Sequence, residues 1–220
     1  ITAAGSELVL NNETNIQHYK VLLMPGGDVI SAETMKAIKQ YYDNGGKVVA
    51  TSSLPKCAAE FGRDEEVVRL VTEMFGIDPR QENYPDKFDS NVNKGCLAFL
   101  HNPTPEILAD LFTRWELRAD IAFDESTIPP AQIGYLNYIH KQKEGRDFYY
   151  ITNTTGSTVH TTVSLRGKFD NLEFWNPHTG KIVPVRNSES AKQPDGGYVT
   201  NIKLSIPKVS GVFVVGKMKE

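Results

Sequence analysis

The stretch GGKVVATSSLPKCA, residues 45–58, sets two serines and a cysteine just beyond a short apolar run. At a strand-to-helix junction this is where an oxygen or sulfur nucleophile could attack an acyl carbon, given a base to take its proton. Such a nucleophile sits on a strained elbow whose flanking residues are small, as in G-x-S-x-G. Ser53 has Ser52 and Leu54 beside it, with Thr51 and Pro55 where glycines are expected, so no elbow is predicted. The serines are read as closing a strand end, and Cys57 as a small buried apolar side chain. His101, after the apolar run CLAFL, is the nearest candidate base. The segment HNPTPE that it opens reads as a helix start, and a base without a nucleophile activates nothing.

Other reactive types are weaker candidates. Asp28 follows the pair Gly26-Gly27 at a strand end, where backbone N–H groups could cradle an anion, but an ordinary tight turn explains the same residues. Glu65/Glu66 and Asp124/Glu125 fall at a helix start and in a linker and are read as solvated. His140, His160 and His178 lack ligand spacing and are read as surface or turn residues. The aromatics Tyr135, Tyr138, Tyr149, Tyr150 and Phe174 are assigned to a core, because strand alternation sends them inward. Trp175, beside the turn NPHTG, is the single residue placed near a surface where it could stack on a sugar ring. No catalytic residue, no metal ligand and no cofactor is assigned.

Composition narrows the classes further. The chain has 220 residues, 40% of them hydrophobic, enough for one large domain or two of ordinary size. A net charge of −3 argues against a nucleic-acid partner. Two cysteines, Cys57 and Cys96, make neither a zinc motif nor a disulfide framework. No apolar run approaches the ~18 residues of a membrane span. The chain opens at Ile1 with neither a methionine nor a signal-like segment, and is read as a processed piece.

The elements that must position these residues change character partway along. In the first half KVLLM (20–24), KVVA (47–50) and CLAFL (96–100) read as buried strands. Helices alternate with them: one with Ser31 as N-cap and Met35, Ile38 and Tyr42 on one face, one capped by Asp64 and stopped at Gly76, and one begun by Thr104-Pro105 with Leu108, Leu111, Phe112 and Trp115 inward. This alternation predicts an α/β domain over residues 1–126, a doubly wound, mainly parallel, flavodoxin-like sheet with helices on both faces. The polar stretch 77–95 is read as a mobile loop or lid. After the linker STIPPAQ (126–132) the period falls to 2, with candidate strands at 133–142, 147–153, 158–165, 171–176, 181–186, 197–205 and 211–217. Seven short strands with turn punctuation predict an antiparallel β-sandwich over residues 127–220.

The residues also carry a resemblance. YKVLLMPGGDVISAETMKAIKQYYDNGGKVVATSSLP resembles the class I amidotransferase-like module found without a working triad in several glycoside hydrolases, of which the β-galactosidase trimerisation domain is one. The HNPTPE segment loosely resembles the His-Pro-Glu element of that class. YLNYIH, DFYYITN and EFWNPHTGKI are similar to strands and a hairpin of the C-terminal sandwich of α-L-rhamnosidase-like enzymes of glycoside hydrolase family 106, and the order of the two modules matches. In that family the catalytic carboxylates lie in an upstream barrel, so none is carried over. The resemblance implies a non-catalytic C-terminal accessory region of a secreted or periplasmic glycosidase. Its partners would be the upstream catalytic domain and glycan, and its work packing support in polysaccharide degradation. The rivals are a carbohydrate-binding module, which needs an exposed aromatic row, and a free-standing amidotransferase-like hydrolase, which needs an elbow.

Overall fold

The computed structural model describes residues 2–11, 16–90, 95–129, 134–194 and 196–219. The chain divides into two compact units, Ile1–Glu116 and Leu117–Glu220. The strand Ile121–Phe123, expected in the first domain, pairs instead with a strand of the second unit.

In the first unit β1 (Thr2–Ala4), β2 (Glu7–Asn11) and β3 (Ile16–Tyr19) form an antiparallel meander. There follow β4 (Val21–Met24), β5 (Val29–Ile30), α1 (Ala32–Asp43), β6 (Lys47–Thr51), β7 (Cys57–Ala58), α2 (Asp64–Phe75), β8 (Lys87–Ser90), β9 (Cys96–Leu100) and α3 (Pro105–Arg114). The central sheet runs β4-β6-β9-β8, its first three strands parallel and β8 antiparallel at the edge, while β5 and β7 make a separate parallel pair.

The expected doubly wound sheet is not what forms. Among the described residues there are eighteen strands to three α-helices, and most strand pairs are antiparallel. Only two crossovers join parallel neighbours of the central sheet, and both advance in the same direction across it. Right-handed connections then place α1 and α2 on one face. There they bury Met35, Ile38, Tyr41, Val67, Val71 and Phe75 against Val48, Ala50, Leu97 and Phe99. α3 buries Leu111 and, just past its end, Trp115, and leaves Leu108 and Phe112 half-buried.

Local signals explain the helix ends. Ser31 Oγ accepts from Thr34 N at 3.1 Å, Thr104 Oγ1 from Ile107 N at 3.4 Å, and α2 stops at Gly76. Asp64 does not cap its helix: its carboxylate accepts from Ala58 N at 2.7 Å and ties α2 to β7. The stretch read as a lid contains β8, and Lys87 Nζ donates to the terminal carbonyl of α2 at Phe75. Residues 91–94 of that stretch lie outside the described residues.

Among the described residues the second unit is all-β apart from one 3-10 turn, Glu125–Thr127. Its strands are β10 (Ile121–Phe123), β11 (Leu136–Lys143), β12 (Arg146–Asn153), β13 (Val159–Arg166), β14 (Phe169–Trp175), β15 (Ile182–Pro184), β16 (Ser188–Lys192), β17 (Tyr198–Ile206) and β18 (Ser210–Met218). They form two antiparallel sheets, β10-β13-β17-β16 and β11-β12-β18-β14-β15. Ile121, Val163, Leu165, Ile202 and Leu204 of one sheet share a core with Tyr149, Ile151, Phe169, Leu172 and Val214 of the other, which is a β-sandwich. Residues 130–132 of the linker and 133 of the first candidate strand lie outside the described residues. Between β14 and β15, Asn176 Oδ1 accepts from His178 N and Thr179 N, and Gly180 takes the left-handed φ of 69° that the turn requires.

Candidate functional site

The strand ends of the first unit hold one feature that its sequence concealed. Ser52 has φ 65°, and Ser53 N donates to Thr51 O at 2.8 Å, closing a tight γ-turn in the strained left-handed region. No flanking glycine permits this turn. The space comes from Gly26, where a Cβ would lie 2.7 Å from Ser52 Cβ. An elbow-like bend therefore exists where none was predicted, because the small residue it needs is supplied from a neighbouring strand end. Its chemistry is incomplete all the same. His101 Nδ1 pairs with Asp86 Oδ1 at 2.9 Å, and the same oxygen accepts from His101 N at 2.9 Å. Among the described residues the His101 ring hydrogen-bonds neither Ser53 nor Cys57, and Cys57 lies in the separate β5–β7 pair. Replacing Ser52 with glycine should relieve the left-handed backbone and raise stability by up to about 1 kcal/mol, read from the urea midpoint. A loss of stability would show that the hydroxyl matters more than the strain.

The other carboxylates singled out in this unit, Asp28, Glu65 and Glu66, are ion-paired. Asp28 Oδ2 meets Lys56 Nζ at 3.1 Å, while its carbonyl accepts from Lys56 N and Cys57 N, so the Gly-Gly turn closes on its own chain. Glu65 pairs with Arg80, and Glu66 with Arg63 and Lys36. The hydrogen bond from Arg63, then that from Lys36, holds the Glu66 carboxyl down at about 2.

In the second unit the site is built from strand register. Side chains alternate across the five-stranded sheet, with Tyr149, Ile151 and Val214 facing the core. The opposite parity carries a row in direct register through all five strands: Ile139, Tyr150, Phe213, Trp175 and Ile182. Ile139 is 57% and Ile182 52% exposed, and the three aromatics between them are half-buried. The expectation that the sandwich aromatics other than Trp175 turn inward is thus corrected for Tyr150, which faces out beside Phe213 with ring centroids 4.6 Å apart. Tyr149 does face the core, Phe174 packs partly against it, and Tyr135 and Tyr138 are exposed.

Trp175 is held firmly on this face. Its Nε1 donates to Glu173 Oε2 at 2.9 Å, and Arg146 donates to the same carboxylate oxygen at 3.0 Å. The Arg146 guanidinium also stands 5.3 Å from the indole centre, and Phe148 meets the ring edge-on at 5.9 Å. At the end of this face lies a cleft of about 1060 Å³, bordered by Lys143, Arg146, Asn171, Glu173 and Lys217. An aromatic surface leading into a polar, charged cleft suits a ligand with one apolar face and many hydroxyls.

His140, expected at the surface or in a turn, is largely enclosed. It is not a surface histidine: Nε2 lies 2.8 Å from Asp147 Oδ1, Nδ1 3.1 Å from Asp120 Oδ2, and the ring stacks on Tyr149 at 4.1 Å. Burial lowers its pKa, but the hydrogen bonds and charges of Asp120 and Asp147 outweigh it and push it up to about 9. Burial, then the charges of Asp147 and Asp120, pushes the Tyr149 hydroxyl upward. His160 and His178 are exposed, and Asp124 caps the 3-10 turn by accepting from Ser126 N. No group of three or more His, Cys, Asp or Glu among the described residues is arranged to hold a metal, and no helix there is long and apolar enough to cross a membrane.

Comparison with known proteins places the chain. The sequence profile of glycoside hydrolase family 106, described as alpha-L-rhamnosidase, matches residues 2–189. A protein of Formosa agariphila, provisionally named a beta-glucuronidase, is 22% identical over 201 residues, which are 90% of this chain and 14% of that protein. The solved rhamnosidase of Novosphingobium sp. PP1Y superposes on 99% of this chain and 19% of its own length, with a TM-score of 0.65 at 19% identity. A beta-galactosidase of Bacillus circulans sp. alkalophilus covers 90% of this chain and 33% of its own, with a TM-score of 0.53 at 10% identity. At these identities the structural likenesses speak for the fold alone, and the chain spans a fifth or less of the first two proteins.

Proposed function

Because the chain belongs to glycoside hydrolase family 106, the alpha-L-rhamnosidases, we propose that it is a non-catalytic accessory part of such an enzyme, supporting a catalytic domain elsewhere in the full-length chain during polysaccharide degradation. The observation that carries this reading is the state of the carboxylates around the cleft. Glycoside hydrolysis needs two carboxyl groups flanking the scissile bond, one of them able to give up a proton. Here Asp147 is bound by His140 and Gln142, Asp170 by Lys219, and Glu173 by Arg146 and Trp175. Each of these three is committed to a cation or a donor, and the fourth carboxylate of the cleft, Glu144, does not by itself make the required pair. The short share of its relatives that the chain spans supports the same reading. Residues 19–55 enter it as a sequence likeness to amidotransferase-like modules, with packing as their work. A secreted or periplasmic setting follows from a polysaccharide substrate.

Purified residues 1–220 are therefore expected to release no aryl alcohol from an aryl α-L-rhamnoside. Turnover that persists through further purification, and falls with a Glu173→Gln substitution, would refute the accessory reading.

A further inference from the structure

We propose that the cleft at the end of the outward face of the five-stranded sheet binds an anionic glycan, its acidic groups held by Lys143 and Lys217 and its sugar rings lying along the aromatic row that contains Trp175. The choice of a glycan over other anions rests on the family reading. The site itself rests on the structure.

The first ground is charge. Strand alternation puts Lys141 and Lys143 of β11, Arg146 of β12 and Lys217 of β18 on the same outward parity as the aromatic row. Lys143, Arg146 and Lys217 border the cleft of about 1060 Å³. Three of its four carboxylates, Asp147, Asp170 and Glu173, are neutralised by partners as described, which leaves only Glu144, at the β11–β12 turn. No ion pair to Lys141, Lys143 or Lys217 occurs among the described residues, so in the cleft Lys143 and Lys217 stand against Glu144 alone.

The second ground is shape. Between Asp170 and Glu173 the pairing of β14 with β18 shifts register, and Asn171 takes φ 53° at that bulge. The bulge interrupts the pairing of β14 with β18 beside Lys217 and borders the cleft at Glu173, the carboxylate that accepts from Trp175 Nε1. A sugar chain has apolar C–H faces and hydroxyl edges. Its rings can pack on Tyr150, Phe213 and Trp175, while a carboxylate or sulfate on the same chain reaches the ammonium groups, where charge-assisted hydrogen bonds are strongest. Neither feature alone selects this ligand: the lysines would take any anion, and the aromatic row any apolar surface.

Titration calorimetry of residues 1–220 tests this with four probes: a galacturonate tetramer, a sulfated heparin-derived tetrasaccharide, a neutral galactose tetramer and polyglutamate. At least one acidic sugar should bind about tenfold or more tighter than the neutral tetramer, and the affinity should fall at least about fivefold when sodium chloride is raised from about 0.05 to 0.5 M. Whichever acidic sugar binds better identifies carboxylate or sulfate as the group recognised. A Lys143→Glu/Lys217→Glu variant should lose the preference for acidic sugars. Trp175→Ala should weaken acidic sugars about fivefold without changing polyglutamate, and Trp175→Phe should restore part of that loss if truncation disturbs the sheet. Equal affinity for acidic and neutral sugars overturns the proposal. So does polyglutamate binding as well as the acidic sugars with no effect of Trp175→Ala, which would mark a protein-docking patch instead. Absence of hydrolysis leaves this test untouched, so the accessory reading and the binding proposal can fail separately.

Discussion

Replacing His140 with alanine is expected to cost the second unit about 3 kcal/mol of stability. The imidazole lies between two carboxylates, and one of them, Asp147, is only 2% exposed. Removing one partner of such an arrangement leaves a charge that water cannot reach, which costs far more than the pair contributes while intact. Gln142 would still donate to Asp147 and Arg166 would still pair with Asp120, so the loss should stay below that of a wholly unpartnered charge. The stack on Tyr149 would also be lost, opening a gap beside the core. Hydrogen exchange of β12 and β18 amides reports the second unit by itself. A change smaller than about 1 kcal/mol would show that the cluster is not coupled to folding.

The same cluster sets a pH dependence whose sign follows from linkage. His140 titrates near 9 in the folded chain, above the roughly 6.5 of an unfolded histidine, so the native state holds the proton more tightly. Its contribution is fully present below about pH 6.5 and is lost as pH rises through about 9. With partial solvent access on the Asp120 side, about 2 kcal/mol is a fair size for that loss. Wild type should therefore weaken between pH 6.5 and 9 relative to His140→Gln, which cannot take the proton. Parallel profiles for the two would show that the imidazole is neutral throughout.

A second large effect is expected at Asn153, which is 1% exposed at the end of β12. Its Nδ2 donates to the carbonyls of Ser157, Ile206 and Pro207 at 2.8, 3.1 and 3.0 Å. Its Oδ1 accepts from Thr155 N and Thr155 Oγ1 at 2.9 and 2.7 Å. One amide thus ties the turn after β12 to the connection between β17 and β18. Asn153→Ala would leave buried carbonyls and an N–H unsatisfied, for a loss of about 3 kcal/mol. Asn153→Asp should be at least as damaging at neutral pH, because an oxygen would face three carbonyl oxygens. If both variants unfold at the wild-type urea concentration, water has replaced the amide and the network is not structural.

How much of this was legible in the sequence depends on the range of the cause. Ser31, Thr104-Pro105, Gly76 and the Asn176 turn act within four or five residues, and a linear reading finds them. The alternation from 136 to 218 is equally local, and it revealed an antiparallel sandwich. Two of its strands escaped for opposite reasons. β16, SESAK, is exposed along its whole length and has no apolar signal, while β10 is three residues long and follows the helical half. The doubly wound expectation failed because local βα alternation does not say how many parallel strands assemble, or on which face each helix lands. The elbow at Ser52 stayed hidden because the glycine that makes room for it is Gly26, on a different strand end.

By itself, then, the sequence determined periods, caps and turns, and with them the division of the chain into a mixed half and an all-β half. Only the tertiary structure decided which parity of each strand is inside. Phe148, Tyr150 and Trp175 obey the same period-2 rule as Tyr149 and Ile151, and nothing in one strand distinguishes the two sets. The core goes to the parity that meets the opposing sheet, where Val163, Leu165 and Ile202 wait. The other parity is left to carry an aromatic row and its lysines. His140 follows the same logic: its parity is inward, so it meets Asp120, twenty residues earlier, and Asp147 across the hairpin. Burial is a relation between two surfaces, and a single strand holds only one of them.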